Sequence, residues 1–405
     1  MTREIQDITL VGMDAHSEKI ELCVTQWRHG TEPVILKRIT TTLDAMEATF
    51  RRNVPPGAVV VLEASTNAFS IAGRLTGAGY KAKVLTSDVL AGIARPDRVN
   101  DRIDAKNLAF TYARGGTREV LVPSKVYAEW RDIWFGYRNA VKDAVKWSNR
   151  IWAFCSGHGF DLPKRQRKKK VEEIRIQIMK LGWTQEEAFH ADMLLGEYGH
   201  ACEVREKYLA RIERTVAGNM EMTKVMQVLG IRFVVAFVLI AFIEDVQRFP
   251  GSKNLVSYIG LNPRVSDTGK MEGVRKVSHF GRSDLKALMI EAAQCAVRMG
   301  KSEMHKWARR KLAAGMHRNK VAVALARKMV CYVWHILMGH PSPNIEAETS
   351  FKRKLEKLAY RLGPEGIGVL GYKTTKDYVT AICGHLYPLG QLTSAELQTG
   401  SLASA

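Results

Sequence analysis

Four carboxylates stand where this sequence has the means to do chemistry. Asp14 ends the apolar string VGMDAH, and Glu63 closes the run VVVLEAS. Asp101 and Asp104 follow in NDRIDAKNLA, a spacing that puts both on one face of a helix. Strand ends and their loops converge at one edge of an α/β sheet, so Asp14 and Glu63 are expected to meet despite their separation in sequence. Convergent carboxylates repel one another, and a hard divalent cation with oxygen ligands is what holds them together. Magnesium is therefore the expected cofactor. Two such ions about 4 Å apart would activate an attacking oxygen and stabilise a leaving one in phosphodiester displacement. Arg95, Arg98, Arg102 and Lys106 surround the second acidic pair in sequence and are expected to draw phosphates toward it. Taken one at a time, Asp14 also suits a turn cap, Glu63 an ion pair, and Asp101 with Asp104 a helix start. The set carries the inference.

The elements that must position these acids are legible in the first 90 residues. Ile8 to Met13, Ile20 to Thr25 and Val34 to Thr42 have strand-like patterns bounded by polar residues or Gly, which predicts a β-meander. A helix over Leu43 to Arg52 then leads through Pro55, Pro56 and Gly57 to Ala58–Leu62, an apolar run suited to a strand buried on both faces. Helix Ala68 to Gly77 and strand Ala82 to Thr86 follow. A meander followed by alternating helix and strand predicts an α/β, RNase H-like (RuvC-like) sheet covered by helices on both sides, over residues 1–122.

From Ser124 to Gly218 the pattern turns helical, and Trp130, Trp134, Tyr137, Val141 and Val145 recur at helical spacing as a core-facing stripe. A long helical or coiled-coil region over 123–219 is expected, for linkage or oligomerisation. It is interrupted by PKRQRKKK, in which Lys164, Arg165, Arg167, Lys168, Lys169 and Lys170 repel one another into a solvated loop suited to phosphate. Residues 220–340 read as a mostly α domain broken by a loop between Gly260 and Gly281. Residues 341–405 read as a helical stretch followed by a disordered end.

Composition bounds the partners. The 405 residues are enough for more than one domain, and 61 Lys plus Arg against 41 Asp plus Glu leave a net charge of +20. Such a chain favours a polyanion, nucleic acid before an anionic membrane surface. The longest apolar run, Phe233 to Ile243, is far short of the roughly 20 residues that span a bilayer, and the start has no signal-peptide pattern, so a cytoplasmic protein is expected. The six cysteines are scattered without zinc or redox spacing, which predicts reduced and mostly buried thiols.

The pattern of a strand-end Asp, a Glu followed by Ala and a small residue, and Asp-x-x-Asp-Ala resembles transposases of the insertion sequence 110 family, the RNA-guided recombinases of mobile elements. It is met at Asp14, Glu63-Ala64-Ser65 and Asp101-Arg102-Ile103-Asp104-Ala105. The order of segments further on is similar too: an apolar entry through Gly230-Ile231-Arg232, then SYIGLNPRVSDTG, then GVRKVSHFGRSDLK. The resemblance implies a catalytic set of Asp14, Glu63, Asp101 and Asp104 on magnesium and a nucleophilic serine just before a glycine. Thr268 occupies that serine's place, with Ser266 as the alternative hydroxyl in the same loop and Ser278 within the basic string. A side-chain oxygen that attacks phosphorus stores the bond as a protein–DNA ester, splitting one exchange into two reversible steps. Lys270, Arg275, Lys276, His279 and Arg282 flank the loop and suit a phosphate backbone. The resemblance also implies donor and target DNA, a guide RNA from the element, and an oligomer whose acidic and hydroxyl domains come from different protomers. Two rival readings stand beside this one: a metal-dependent nuclease in which water attacks, and an inactive nucleic-acid-binding protein.

Overall fold

The computed structural model describes residues 7–16, 18–86, 101–115, 117–160, 170–264, 276–277, 281–299, 302–340 and 345–387, with the backbone alone at 264, 276, 277 and 299. The chain forms two compact units, Met1–Ser124 and Lys125–Ala405.

The first unit is a mixed α/β sheet. Strands β1 (Ile8–Ala15), β2 (Ile20–Trp27) and β3 (Val34–Thr41) form the antiparallel meander. β4 (Val59–Glu63) pairs parallel to β1, β5 (Lys81–Leu85) pairs parallel to β4, and the short β6 (Glu119–Val120) closes the edge antiparallel to β5. The order is β3-β2-β1-β4-β5-β6. One face is covered by α1 (Met46–Asn53) and α2 (Ala68–Gly77), whose Met46, Phe50, Ile71 and Leu75 pack with Val11, Met13, Val60 and Leu62. The opposite face takes α3 (Asp101–Arg114), whose Leu108 and Ala109 pack with Leu10, Val61 and Leu85. Residues two apart on a strand share a face, so the two cores separate Leu10 and Val61 from Val11 and Val60. Gly12 brings α3 close: a Cβ there would overlap the carbonyl oxygen of Ala105 and lie 2.9 Å from the amide nitrogen of Ala109.

Among the described residues the second unit is helical apart from a two-stranded ribbon, β7 (Pro263–Arg264) with β8 (Lys276–Val277), and an isolated antiparallel bridge between Val228 and Ile345. Helices α4 (Lys125–Gly157) and α6 (Gln185–Ala217) are both long and pack in opposite directions, since Gly136 meets Tyr208 while Phe154 meets His190. Helix α5 (Val171–Met179) packs Ile174 and Ile178 into the same core as Ala144, Ile151 and Leu195. A capping box fixes the start of α6: Glu187 N–H donates to the Thr184 hydroxyl at 3.3 Å, and Thr184 N–H donates to the Glu187 carboxylate at 2.8 Å. Trp134 is buried and Trp130 and Tyr137 pack beside it as expected, but Val145 is exposed. Beyond Val141 the buried line runs through Ala144, Ile151 and Cys155 instead, because the partner helix is followed around the cylinder.

The short α7 (Met220–Val225) leads to α8 (Phe233–Ile243), which is the apolar string noted above and lies at the centre of the largest core. A helix apolar on every side belongs inside a protein core or a membrane, and its 11 residues suit only the first. No helix among the described residues is long and apolar enough to cross a membrane. The same core takes in α9 (Ser252–Ile259), α10 (Ser283–Met299), α11 (Glu303–Ala313), α12 (Arg318–Leu337), α13 (Glu348–Val369) and α14 (Thr375–Leu386), of which α10 packs directly on α8. Phe351, Leu355, Tyr378 and Ile382 are buried in the same core as Phe237 and Trp134. The sequence-level boundaries at 219 and 340 therefore do not mark separate cores. The expected disordered end, from Thr393, lies outside the described residues.

One buried cation shows how tightly the tail helices are tied in. Lys354 donates to the carbonyls of Met226, Val228 and Ile231 at 2.7, 3.1 and 2.8 Å and pairs with the buried Glu346 at 3.0 Å. The Gly230 turn that these carbonyls flank has φ +82°, and a Cβ there would lie 2.6 Å from the carbonyl oxygen of Ala292. The turn is a packing joint against α10. The six cysteines are all free, with Cys23, Cys155, Cys202 and Cys383 buried.

Candidate active site

The sheet register brings the first two acids together. Met13 lies opposite Leu62 on the parallel pair β1 and β4, and Asp14 and Glu63 are the next residue of each strand. Both fall on the face taken by α3, two residues beyond Gly12 and Val61. Helix α3 begins at Asp101 and carries Asp104 in its first turn, held to β1 by the close approach at Gly12. The structure thus gathers all four predicted carboxylates at one end of the sheet.

Their electrostatics follow from the proximity. Burial raises the Asp14 carboxyl above its ordinary range, the charges of Asp101 and Asp104 raise it further, and His16 opposes them. Burial likewise raises Glu63, with Asp14 and Asp104 adding to it. Asp104 is raised by burial and then by Asp101. These are carboxylates that water alone solvates poorly and that push one another toward protonation.

The sequence reading missed three participants. His16 Nε2 lies 3.3 Å from Asp14 Oδ2 and 3.6 Å from Asp101 Oδ1. Asp14, His16 and Asp101 offer one ligand atom each within 4.8 Å of one another, a donor set that suits a divalent cation. Glu21 sits directly opposite Asp14 across β1 and β2 and is only 2% exposed. It is neutralised by Lys19 at 2.7 Å and Arg102 at 3.6 Å and accepts a hydrogen bond from the Thr40 hydroxyl at 2.9 Å. Lys19 also approaches Asp101, at 3.9 Å. The signal for all three was the short connection between β1 and β2, which forces residues equally far from the turn into register.

Among the predicted phosphate contacts, Arg102 is 60% exposed while paired with Glu21, and Lys106 lies 5.0 Å over the Phe110 ring. Lys170 is exposed at the start of α5. Arg282 pairs with Asp284 at 3.2 Å, and its guanidinium lies 3.9 Å over the ring of Phe242. With it at the end of α8 stand Arg131, which donates to the Ala241 carbonyl, and Arg248, which donates to the Phe242 and Ile243 carbonyls. They satisfy carbonyls that the helix end leaves open, and their charge suits its negative pole. Arg95, Arg98, Lys164, Arg165, Arg167, Lys168, Lys169, Ser266, Thr268, Lys270, Arg275, Ser278 and His279 lie outside the described residues, and Lys276 is described only as backbone of β8.

The loop between Gly260 and Gly281 is framed at both ends. The chain turns at Gly260, φ +84°, leaves the core after the buried Leu261, and turns again at Gly281, φ +89°. A Cβ on Gly281 would lie 2.5 Å from the Cα and amide nitrogen of Gly260, so only glycine allows the two strands of chain to cross. Arg282 N–H donates to the Tyr258 carbonyl at 3.1 Å and fixes the return.

Residues 222–309 match the family model described as transposase, IS116/IS110/IS902 family. The chain is 23% identical over 344 residues to a transposase for insertion sequence element IS1111A of Coxiella burnetii, covering 83% of this chain and 91% of that one. It is 22% identical over 339 residues to a transposase for insertion sequence element IS1328 of Yersinia enterocolitica, covering 81% and 96%. A probable family 20 transposase of Pseudomonas aeruginosa is 24% identical over 298 residues, covering 71% and 86%.

Proposed function

We propose that this chain, whose residues 222–309 match the IS116/IS110/IS902 transposase family and whose relatives over most of its length are transposases, cuts and rejoins the DNA strands of an insertion sequence through an acidic metal site and a separate hydroxyl nucleophile. The observation that carries this reading is the convergence of Asp14, Glu63, Asp101 and Asp104 at the carboxyl ends of β1 and β4, three of them raised toward protonation. The strand order, with an antiparallel meander feeding parallel β4 and β5, supports an RNase H-like (RuvC-like) sheet for this unit.

Asp14, Glu63, Asp101 and Asp104, with His16 at their edge, are the residues that would hold magnesium. Bound there, magnesium would supply positive charge to the scissile phosphate and the departing oxygen. Thr268, with Ser266 as the alternative, supplies the attacking oxygen: a bond forms between its Oγ and phosphorus, and the bond from phosphorus to the 3′ oxygen breaks. The proton lost by the hydroxyl is recovered on that oxygen. The same ester is attacked by a new 3′ hydroxyl in the reverse sense, so strands are rejoined without ATP. The four metal-binding acids and the hydroxyl act in trans, from different protomers of an oligomer in the cytoplasm. A guide RNA of the element pairs with donor and target DNA, and the +20 charge suits a protein that holds both kinds of nucleic acid.

The experiment is a denaturing gel of labelled donor DNA with magnesium, protein and the element's flanking RNA, comparing wild type with Thr268→Ala and Ser266→Ala. A covalent adduct in wild type that one variant loses identifies the nucleophile. Cleavage with no adduct overturns the recombinase in favour of a hydrolytic nuclease, and binding with no cleavage overturns both in favour of a nucleic-acid-binding protein.

A further inference from the structure

A cavity of about 620 Å³ opens in the second unit beside α13. Leu209 and Phe233 give it an apolar wall, and Arg232, Arg353 and Lys357 stand around it. A second depression of about 400 Å³ shares Glu356 and Tyr360 with the first and adds Lys352 and Lys376. Tyr360 is 85% exposed, although Leu358 and Ala359 beside it are fully buried. The helix that presents it breaks at Gly363, φ +68°, just ahead of Pro364, so the ring stands on the last turn before a kink. Arg361 is engaged by Glu206 and Glu213. Arg232, Arg353 and Lys357 make no ion pair among the described residues.

An exposed aromatic ring flanked by unpaired cations is the combination that holds single-stranded nucleic acid, because every base offers a face to stack and every linkage a charge to neutralise. A duplex suits the site poorly, since its bases are already stacked on one another. Glu356 lines both depressions and offers a carboxylate acceptor suited to a base amino group rather than to phosphate. We propose that this groove binds an unpaired stretch of DNA, with one base stacked on Tyr360 and the adjoining phosphates held by Arg232, Arg353 and Lys357. The proposal rests on the transposase reading, which supplies the unpaired strands through cutting and exchange.

The test uses the full chain carrying Asp14→Asn, so that cleavage does not enter the readout, and a fluorescent single strand of about 20 nucleotides followed by anisotropy. Adding Tyr360→Ala weakens binding about tenfold, while Tyr360→Phe, which keeps the stacking face, stays within about twofold. Arg353→Ala with Lys357→Ala flattens the dependence of log affinity on log salt by about 1.4. A blunt duplex is insensitive to Tyr360→Ala. Unchanged single-strand affinity in Tyr360→Ala, an equal loss on the duplex, or a loss confined to RNA of the same sequence overturns the proposal. None of these results bears on whether the parent chain forms the covalent adduct, so the two readings fail separately.

Discussion

Replacing Asp14 by Asn removes one charge from the acidic cluster without changing its shape, and its effect on stability is expected to be the reverse of its effect on cleavage. The ligand atoms of Asp14 and Asp101 lie within 4.8 Å, and at an effective dielectric of about 20 two unit charges at that separation repel by about 3.5 kcal/mol. Asp101 is 41% exposed and His16 sits between the two, so screening brings the net repulsion to about 1 kcal/mol. Asp14→Asn is therefore expected to stabilise the metal-free protein by about 1 kcal/mol, a rise of about 3 °C in Tm. Magnesium at ten times its Kd adds about 1.4 kcal/mol to wild type and little to the variant. The pH dependence has a definite sign. The folded-state pKa values of Asp14, Glu63 and Asp104 are raised, so their contribution to stability is present at low pH and is lost as pH rises through those raised values. Metal-free wild type should thus gain on the variant as pH falls from neutral into the carboxylate range. Thermal melts of both chains against pH, with and without magnesium, measure all of this, and strand cleavage by the variant should be absent. An Asp14→Asn chain that is less stable without metal and gains as much from magnesium as wild type would refute the reasoning.

Three further substitutions test how the sites are framed. Gly12→Ala drives a methyl into the Ala105 carbonyl and should destabilise the first unit by about 3 kcal/mol while abolishing cleavage, because α3 must lift with Asp101 and Asp104; a denaturant melt and the donor gel read both. Lys354→Ala leaves Glu346 buried and unpaired beside three open carbonyls and should cost about 3 kcal/mol or more, read as a lower urea midpoint at unchanged slope. Gly281→Ala forces a side chain into the crossing with Gly260 at positive φ and should lower adduct formation more than DNA binding, which the same gel and an anisotropy titration separate.

Local pattern was enough for most of the first unit. Helix Ala68–Gly77 was readable to the residue, and the strands within a residue or two, because β-branched alternation and an unbroken apolar run are local signals. The four acids were legible because each sits at an element end that the pattern itself marks. Glu21 was hidden for the opposite reason: it lies inside a buried strand, and only pairing across the hairpin reveals that it faces Asp14 and needs Lys19 and Arg102. In the second unit, periodicity identified helices but not their partners. The packing of Phe351 and Tyr378 against a core built around Phe237 joins segments more than 100 residues apart, which no local window contains. The ribbon Pro263–Arg264 with Lys276–Val277 was read as plain loop, since two residues per strand are too few to show alternation.

The crossing of Gly260 and Gly281 has a consequence for how this protein can vary. With the mouth of the loop held shut by backbone on backbone and the first ribbon pairs beyond it, the distance between its ends is independent of what lies in between. Lengthening such a closed loop costs only about 0.6 kcal/mol for each doubling, and none of that burden falls on the helices around α8. Residues inserted between the two glycines are therefore expected to leave the core that frames them unchanged, which thermal melts of loop-lengthened variants measure.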